Sequence, residues 1–162
     1  MGKHLSSSEE QTRIESIVIS KLIENGYDFS EKQDGNPNYK LDVFCQFEGK
    51  LVIGEIYAGI DKLQPAQKKK IVTDFFKLVY VEKLLKEQGS KMEIRKVMFF
   101  VDEKLENKFI NDKDNSNSWV KDAIKSFGIE LITETILEKD KDKLRKAKKG
   151  QGEGMKLTNP KK

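Results

Sequence analysis

Apolar residues recur at intervals of three and four in three segments of this 162-residue chain, and this spacing predicts three helices. The first helix is predicted over residues 7–26, with a serine as its N-cap and a glycine at its end. The second is predicted over residues 65–89, with a proline in its first turn, and the third over residues 118–128. The polar segment before the third helix, residues 107–117, is expected to form an exposed loop.

Five shorter segments have the alternating or continuous apolar patterns of strands and are bounded by turn residues. The predicted strands cover residues 27–32, 40–47, 50–57, 94–101 and 129–132. Only a Glu-Gly pair separates the second strand from the third, which is typical of a β-hairpin. The later strands alternate with helices, which favours parallel pairing. The element order αβββαβαβ therefore predicts an α/β fold with a mixed central β-sheet flanked by helices.

The composition favours one folded domain in a reducing compartment. Charged and hydrophobic residues each make up 36% of the chain, and the longest apolar run, Val97 to Val101, is too short to span a membrane. One cysteine, Cys45, cannot form an internal disulfide, and one histidine, His4, cannot build a His/Cys zinc site. We therefore expect a cytoplasmic protein without a membrane partner.

The net charge of +4 is concentrated at the C-terminal end. Of 31 basic and 27 acidic residues, eight basic and one acidic lie within residues 143–162, which leaves 23 basic and 26 acidic within residues 1–142. We therefore predict a single α/β domain over residues 1–142 and a flexible basic tail over residues 143–162. Such a tail can bind phosphate groups, or it can serve only to keep the protein in solution.

Two acidic residues lie on the predicted hairpin at positions where their side chains can meet. Asp42 is near the start of the first hairpin strand, and Glu55 is near the end of the second. Glu55 interrupts an otherwise apolar strand, where a carboxylate is costly unless it is paired or bound to a metal ion. Two carboxylates can hold Mg²⁺ or Mn²⁺, which would polarise a phosphodiester and acidify a water molecule. The alternative for Asp42 is a polar residue on a half-exposed strand.

The order of elements and these acids resemble the PD-(D/E)XK nuclease superfamily, the restriction-endonuclease-like fold, over residues 8–132. That superfamily has a glutamate on its first helix, an aspartate on its second strand and Glu-x-Lys on its third. Glu15, Asp42 and Glu55 lie at the matching positions, and the step from Asp42 to Glu55 is similar to that of the archaeal Holliday-junction resolvases. The lysine position is taken by Tyr57, a departure that bears on catalysis and not on the fold.

Some members of the superfamily take this lysine from the following helix, and the second predicted helix carries a suitable polar stripe. The stripe has helical spacing and consists of Gln67, Lys70, Asp74 and Lys77. Lys70 is the first candidate for the displaced lysine, and Lys62 in the preceding loop is the second. Gln67 resembles a helical glutamine found near the site in several branches of the superfamily.

The resemblance therefore implies a Mg²⁺- or Mn²⁺-dependent nuclease. Its catalytic residues would be Glu15, Asp42, Glu55, Gln67 and Lys70, and its metal ligands would be Asp42 and Glu55. Glu15 and Lys70 could equally be ordinary solvated residues. Tyr57 could donate its hydroxyl to a carboxylate or phosphate, or pack in the core. Trp119 is expected to be a core anchor.

Three functional hypotheses follow. The first is hydrolysis of DNA by a PD-(D/E)XK-like domain, alone or with a homodimer or specificity partner. The second is a catalytically degenerate nuclease-fold domain that binds nucleic acid or a protein partner. The third is an interaction module with a generic α/β fold, in which Asp42 and Glu55 are unrelated surface acids. A distance of more than about 8 Å between their carboxylates would favour it, because they could not then share one cation.

Overall fold

The computed structural model describes residues 7–31, 40–111 and 118–158, and these residues form a mixed α/β fold. In chain order the elements are α1 (Ser7–Glu24), β1 (Val43–Phe47), β2 (Lys50–Tyr57), α2 (Pro65–Glu87), β3 (Ile94–Phe100), α3 (Glu103–Asn111), α4 (Ser118–Ser126), β4 (Ile129–Thr133) and α5 (Glu138–Thr158). No helix within these ranges is both long enough and apolar enough to cross a lipid bilayer.

The four strands form one sheet in the order β1-β2-β3-β4. β1 and β2 are antiparallel, whereas β2 pairs with β3, and β3 with β4, in parallel. Glu48 and Gly49 both have positive φ, at 50° and 77°, which suits the two-residue hairpin turn between β1 and β2. The predicted mixed sheet and its hairpin are confirmed.

Helices cover both faces of the sheet. Val52 and Ile56 of β2 belong to a core cluster with α1 and α5, whereas Tyr57 belongs to a cluster with α2, α3 and α4. Ile53 packs with Leu78 of α2 in a third cluster. Because side chains alternate along a strand, Glu55 lies on the same face as Ile53 and Tyr57, beneath α2. This places the Glu55 carboxylate inside the protein.

The strand predicted over residues 27–32 is reduced to a single bridge. Asp28 makes both backbone hydrogen bonds to Gln46 of β1, at 2.8 and 2.9 Å, but its neighbours up to residue 31 are not part of a strand, and residue 32 lies outside the described residues. The Asp28 carboxylate accepts a hydrogen bond from the Ser30 backbone N–H at 2.9 Å, which turns the chain away from the sheet edge.

A second difference concerns the segment predicted to be a loop, residues 107–117. Its first part belongs to α3, which ends at Asn111, and residues 112–117 lie outside the described residues. Asp102 caps α3, since its Oδ1 accepts a hydrogen bond from the Lys104 backbone N–H at 3.0 Å. With one strand removed and two helices added, the observed order is αββαβααβα.

The flexible tail predicted from residue 143 begins inside α5. Leu144 is buried in the core, and Arg145 makes a two-pronged ion pair with Asp61, at 2.8 and 3.1 Å. Earlier in the same helix, Asp140 accepts a hydrogen bond from Arg13 of α1 at 2.7 Å. The first turns of α5 are therefore part of the folded domain, and residues 159–162 lie outside the described residues.

Trp119 is not a core anchor, because 59% of it is exposed. Its neighbour Val120 points into the core between α4 and the sheet. α4 is a short helix of nine residues, and only the Val120 side of it faces the core cluster shared with α2 and α3. The expectation that Trp119 anchors the core is therefore wrong, and the next residue, Val120, is the one that is buried.

Candidate active site

The β1–β2 register brings Asp42 and Glu55 together. Val43 pairs with Gly54, so the next step along the hairpin sets Asp42 opposite Glu55, where the ladder ends. Asp42 Oδ2 accepts a hydrogen bond from the Ile56 backbone N–H at 3.0 Å, and the Asp42 backbone N–H makes a long contact of 3.4 Å to Glu55 Oε2. The hairpin backbone thus holds both acidic residues side by side, so the wide separation that would favour the generic interaction module is not observed.

The two acids differ in their surroundings. Asp42 is exposed at the surface, whereas only 4% of Glu55 is exposed. Burial first, and then the hydrogen bond and negative charge of Asp42, raise the pKa of Glu55 to about 8, although Lys77 acts against this rise. The pair therefore retains a proton at neutral pH, and a cation binding between the carboxylates would displace it.

Lys77 of α2 supplies the positive charge at this pair. Its ammonium group donates hydrogen bonds to Glu55 Oε1 and, at 2.8 Å, to the backbone carbonyl of Lys40. Lys77 is adjacent to Leu78, which packs against Ile53 beneath α2, and its side chain is only partly exposed. The lysine that contacts the carboxylates therefore comes from the helix after β2, two members of the polar stripe beyond Lys70.

Lys70, the first candidate from the sequence, lies at the rim of the site. It is exposed, and its charge acts to lower the pKa of both Glu15 and Asp74. Lys62, the second candidate, is also exposed and lines a shallow depression of about 380 Å³ together with Arg145. The structure therefore places Lys70 near the acids and Lys62 on a separate surface.

Gln67 caps the start of α2. Its Oε1 accepts a hydrogen bond from the backbone N–H of Gln64, the N-cap residue, at 2.9 Å, and Pro65 occupies the first helical turn. This contact fixes the end of the helix and directs the Gln67 side chain back along the chain. The observed hydrogen bond of Gln67 is a capping contact and not a contact to Asp42 or Glu55.

Two more acids border the carboxylate pair. Glu15 of α1 is half-buried; burial first, and then the charge of Asp42, raise its pKa. Asp74 of α2 is also half-buried, and burial raises its pKa against the opposing charges of Lys70 and Lys77. Asp74 and Lys77 belong to the polar stripe seen in the sequence, but nothing in that pattern distinguished them from its other members.

Tyr57 occupies the core. Its ring packs edge-on against Phe100, with centroids 6.2 Å apart, and folds over Gly59, where a β-carbon would come within 2.5 Å of the ring. Burial raises the pKa of its hydroxyl to about 12, and this hydroxyl has no hydrogen-bond partner among the residues that the structure describes. A lysine here would bury its ammonium group among aromatic and aliphatic side chains, at a high cost.

The donor set suits a hard cation with few protein ligands. Across residues 7–31, 40–111 and 118–158, no three His, Cys, Asp or Glu side chains are grouped so as to hold a metal ion. Mg²⁺ nevertheless binds through one or two carboxylates when waters and substrate phosphates complete its coordination. Two adjoining carboxylates fit that mode of binding.

Comparison of the chain with family models, with curated proteins and with solved structures finds no match. What the site can do is therefore inferred from its chemistry. It combines a carboxylate pair at the surface end of a hairpin, one ammonium group in contact with the inner carboxylate, and two further half-buried acids. This combination can bind a divalent cation and a negatively charged substrate side by side.

Proposed function

We propose that this protein hydrolyses phosphodiester bonds in DNA with Mg²⁺ or Mn²⁺, using a PD-(D/E)XK-like site on a restriction-endonuclease-like core. The observation that carries the proposal is the meeting of Asp42, Glu55 and Lys77 at the end of the β1–β2 hairpin. The sheet is compatible with the proposal, because it combines an antiparallel hairpin with parallel strands, as predicted from the order of elements.

Each residue of the site has a distinct part in this proposal. Asp42 and Glu55 would hold the cation, which when bound polarises a phosphate and acidifies a water molecule. Lys77 has three ammonium hydrogens, so it can donate to Glu55 and also to a phosphate oxygen that gains charge in the transition state. Glu15 is placed near Asp42 with a raised pKa, which suits a group that accepts a proton from water.

A second candidate function keeps the fold without the chemistry. The pairing of Lys77 with Glu55 and the core position of Tyr57 favour it, since the lysine at the site is already engaged by Glu55 and the strand position two residues beyond Glu55 carries no lysine. A degenerate nuclease-fold domain would bind nucleic acid through basic residues, or bind a protein partner. It predicts DNA binding that depends strongly on salt and is unaffected by removal of divalent metal.

The experiment that tests the first proposal is cleavage of linear, supercoiled, single-stranded and branched DNA with Mg²⁺ or Mn²⁺. Glu55→Ala is assayed beside the wild type, and Glu130→Ala is the matched control. Glu130 is a strand acid that pairs with Arg95 on the other side of the sheet from the site. Far-UV circular dichroism of each variant establishes that the fold is retained.

Metal-dependent cleavage that is lost in Glu55→Ala and retained in Glu130→Ala would support the nuclease proposal. Equal cleavage by the wild type and Glu55→Ala would refute the assignment of the site. If none of the proteins cuts and the wild type binds DNA equally well with and without a chelator, the degenerate-domain alternative is supported.

A further inference from the structure

The outer side of α2 carries a continuous stripe that faces away from the core. Its members are exposed and follow one another at intervals of four, three, four, three and four residues: Lys69, Thr73, Phe76, Tyr80, Lys83 and Glu87. We call these six residues the α2 stripe. Phe76 is 77% exposed and Tyr80 is 47% exposed, although large aromatic side chains normally gain free energy from burial. The spacing is that of the contact seam of a two-helix coiled coil.

We propose that a second copy of this chain docks on the α2 stripe, with the two α2 helices antiparallel and related by a two-fold axis. Placing the axis midway between Phe76 and Tyr80 sets Phe76 against Tyr80 of the second copy. The same operation sets Lys69 against Glu87 of the second copy, at both ends of the contact. Such an interface is self-complementary, as two-fold symmetry requires.

The charges of the stripe select this orientation. In an antiparallel pair Lys69 of each stripe lies against Glu87 of the other, which gives two Lys69–Glu87 pairs. In a parallel pair, Lys69 would face Lys69 and Glu87 would face Glu87, which is unfavourable. The aromatic centre gains further apolar contact from Val72 and Val79, which are half-buried along one flank of the stripe.

The contact is confined to one helix and is therefore small compared with the interfaces of stable dimers. We accordingly expect a weak dimer whose population rises with protein concentration. The two-fold axis lies in the plane of the contact, perpendicular to the helices. Both carboxylate pairs then lie on the same side of the helix pair, because Lys77 of each copy lies on the same flank of its stripe.

The first test is sedimentation equilibrium of the full chain over about two decades of concentration. We expect the wild type to associate into dimers and Phe76→Glu to remain monomeric. Phe127→Glu is the matched control, since Phe127 is 54% exposed on a different part of the surface. Association by Phe127→Glu should equal that of the wild type, and circular dichroism reports whether each variant is folded.

The second test determines the register. Lys69→Glu and Glu87→Lys should each weaken dimerisation by about tenfold, because each reverses one member of both symmetry-related pairs. The double variant should restore affinity to within about threefold of the wild type, since the pairs are re-formed with opposite polarity. Glu87 also pairs with Lys83 in its own helix at 3.8 Å, a contact that the double variant does not restore.

Several outcomes would overturn the proposal. These are a wild-type monomer at every concentration, a dimer that survives Phe76→Glu, and a double variant no better than either single one. A monomeric wild type whose affinity for single-stranded DNA falls in Phe76→Glu would assign the stripe to base stacking instead. Because the readout is oligomeric state without DNA or metal, it is independent of the proposed nuclease activity.

Discussion

Replacing Glu55 by glutamine should change how the stability of the protein depends on pH. Glutamine has nearly the shape of a protonated glutamic acid and can still accept a hydrogen bond from Lys77, but it carries no ionisable proton. In the wild type, burial and then Asp42 raise the pKa of Glu55 from 4.5 to about 8. Between about pH 4.5 and about pH 8, the folded state therefore keeps a proton on Glu55 that the unfolded chain has already released.

The size of the effect follows from proton linkage. A raised pKa contributes its full stabilising effect below about pH 4.5, and this contribution is lost as the pH rises towards about 8. Within that window the free energy of unfolding falls by about 1.4 kcal/mol per pH unit relative to a variant that does not titrate. Between about pH 5 and about pH 7.5, wild type and Glu55→Gln should therefore diverge by about 3 kcal/mol.

Urea unfolding at several pH values, with a chelator present, measures this difference. The free energy of unfolding of Glu55→Gln should lose less with rising pH than that of the wild type. Glu130→Gln, which removes an exposed carboxylate paired with Arg95, should run parallel to the wild type. Parallel curves for the wild type and Glu55→Gln would refute a buried, proton-retaining Glu55, and with it the reasoning that a cation displaces a proton here.

Three further changes test separate parts of the structure. If the protein is a nuclease, Lys77→Met should lower the cleavage rate by about a hundredfold and Lys70→Met by less than about tenfold, measured in single-turnover assays; equal losses would contradict the placement of Lys77. Tyr57→Phe removes a buried hydroxyl without a described partner and should raise the free energy of unfolding in urea by about 1 kcal/mol, so a loss of stability would reveal a missing contact. Leu144→Ala should destabilise the domain by about 2 to 4 kcal/mol, whereas the exposed neighbour Lys143→Ala should not, and thermal unfolding that treats them alike would contradict the docking of α5.

The hairpin and the central helix could be predicted because local chemistry specifies them. The Glu-Gly turn fixes the β1–β2 register, and Pro65 with the N-cap residue Gln64 fixes the start of α2. The strand predicted at residues 27–32 failed for a local reason too: the side chain of Asp28 competes for the backbone at the sheet edge. The spacing of apolar residues gives no information about such a side-chain hydrogen bond.

The packing of the first turns of α5 could not be predicted from net charge, because net charge describes the surface of a helix and not its buried side. The segment after residue 142 is strongly basic, but Leu144 is buried and Arg145 meets Asp61 in the loop after β2. Asp61 has a positive φ of 65° and donates its backbone N–H to Asp102 at 2.8 Å, so its carboxylate is already oriented. Arg145 and Asp61 lie 84 residues apart in the sequence, so no local pattern connects them.

The meeting of Asp42 and Glu55 could be predicted from the sequence, but the lysine that contacts them could not. Strand register follows from turn length, so Asp42 and Glu55 could be set opposite each other from the sequence. The rotation and shift of α2 over the sheet depend on how Leu78 fits against Ile53, which is a packing result. That packing brings Lys77, and not Lys70, into contact with Glu55, although both lysines belong to one polar stripe.

The packing of α2 against β2 accounts for both the tyrosine at position 57 and the lysine at position 77. The β2 position two residues beyond Glu55 lies under α2, in a cluster with Ile71 and Phe75, where an ammonium group would lose its hydration without gaining a partner. A lysine on α2 lowers that cost, because its side chain remains partly exposed while its ammonium group contacts Glu55. Burying two ionisable side chains such as Glu55 and Lys77 costs hydration free energy that their contact often does not recover, so stability alone does not account for both groups at this point. The proposed binding of a cation and a phosphate would account for both.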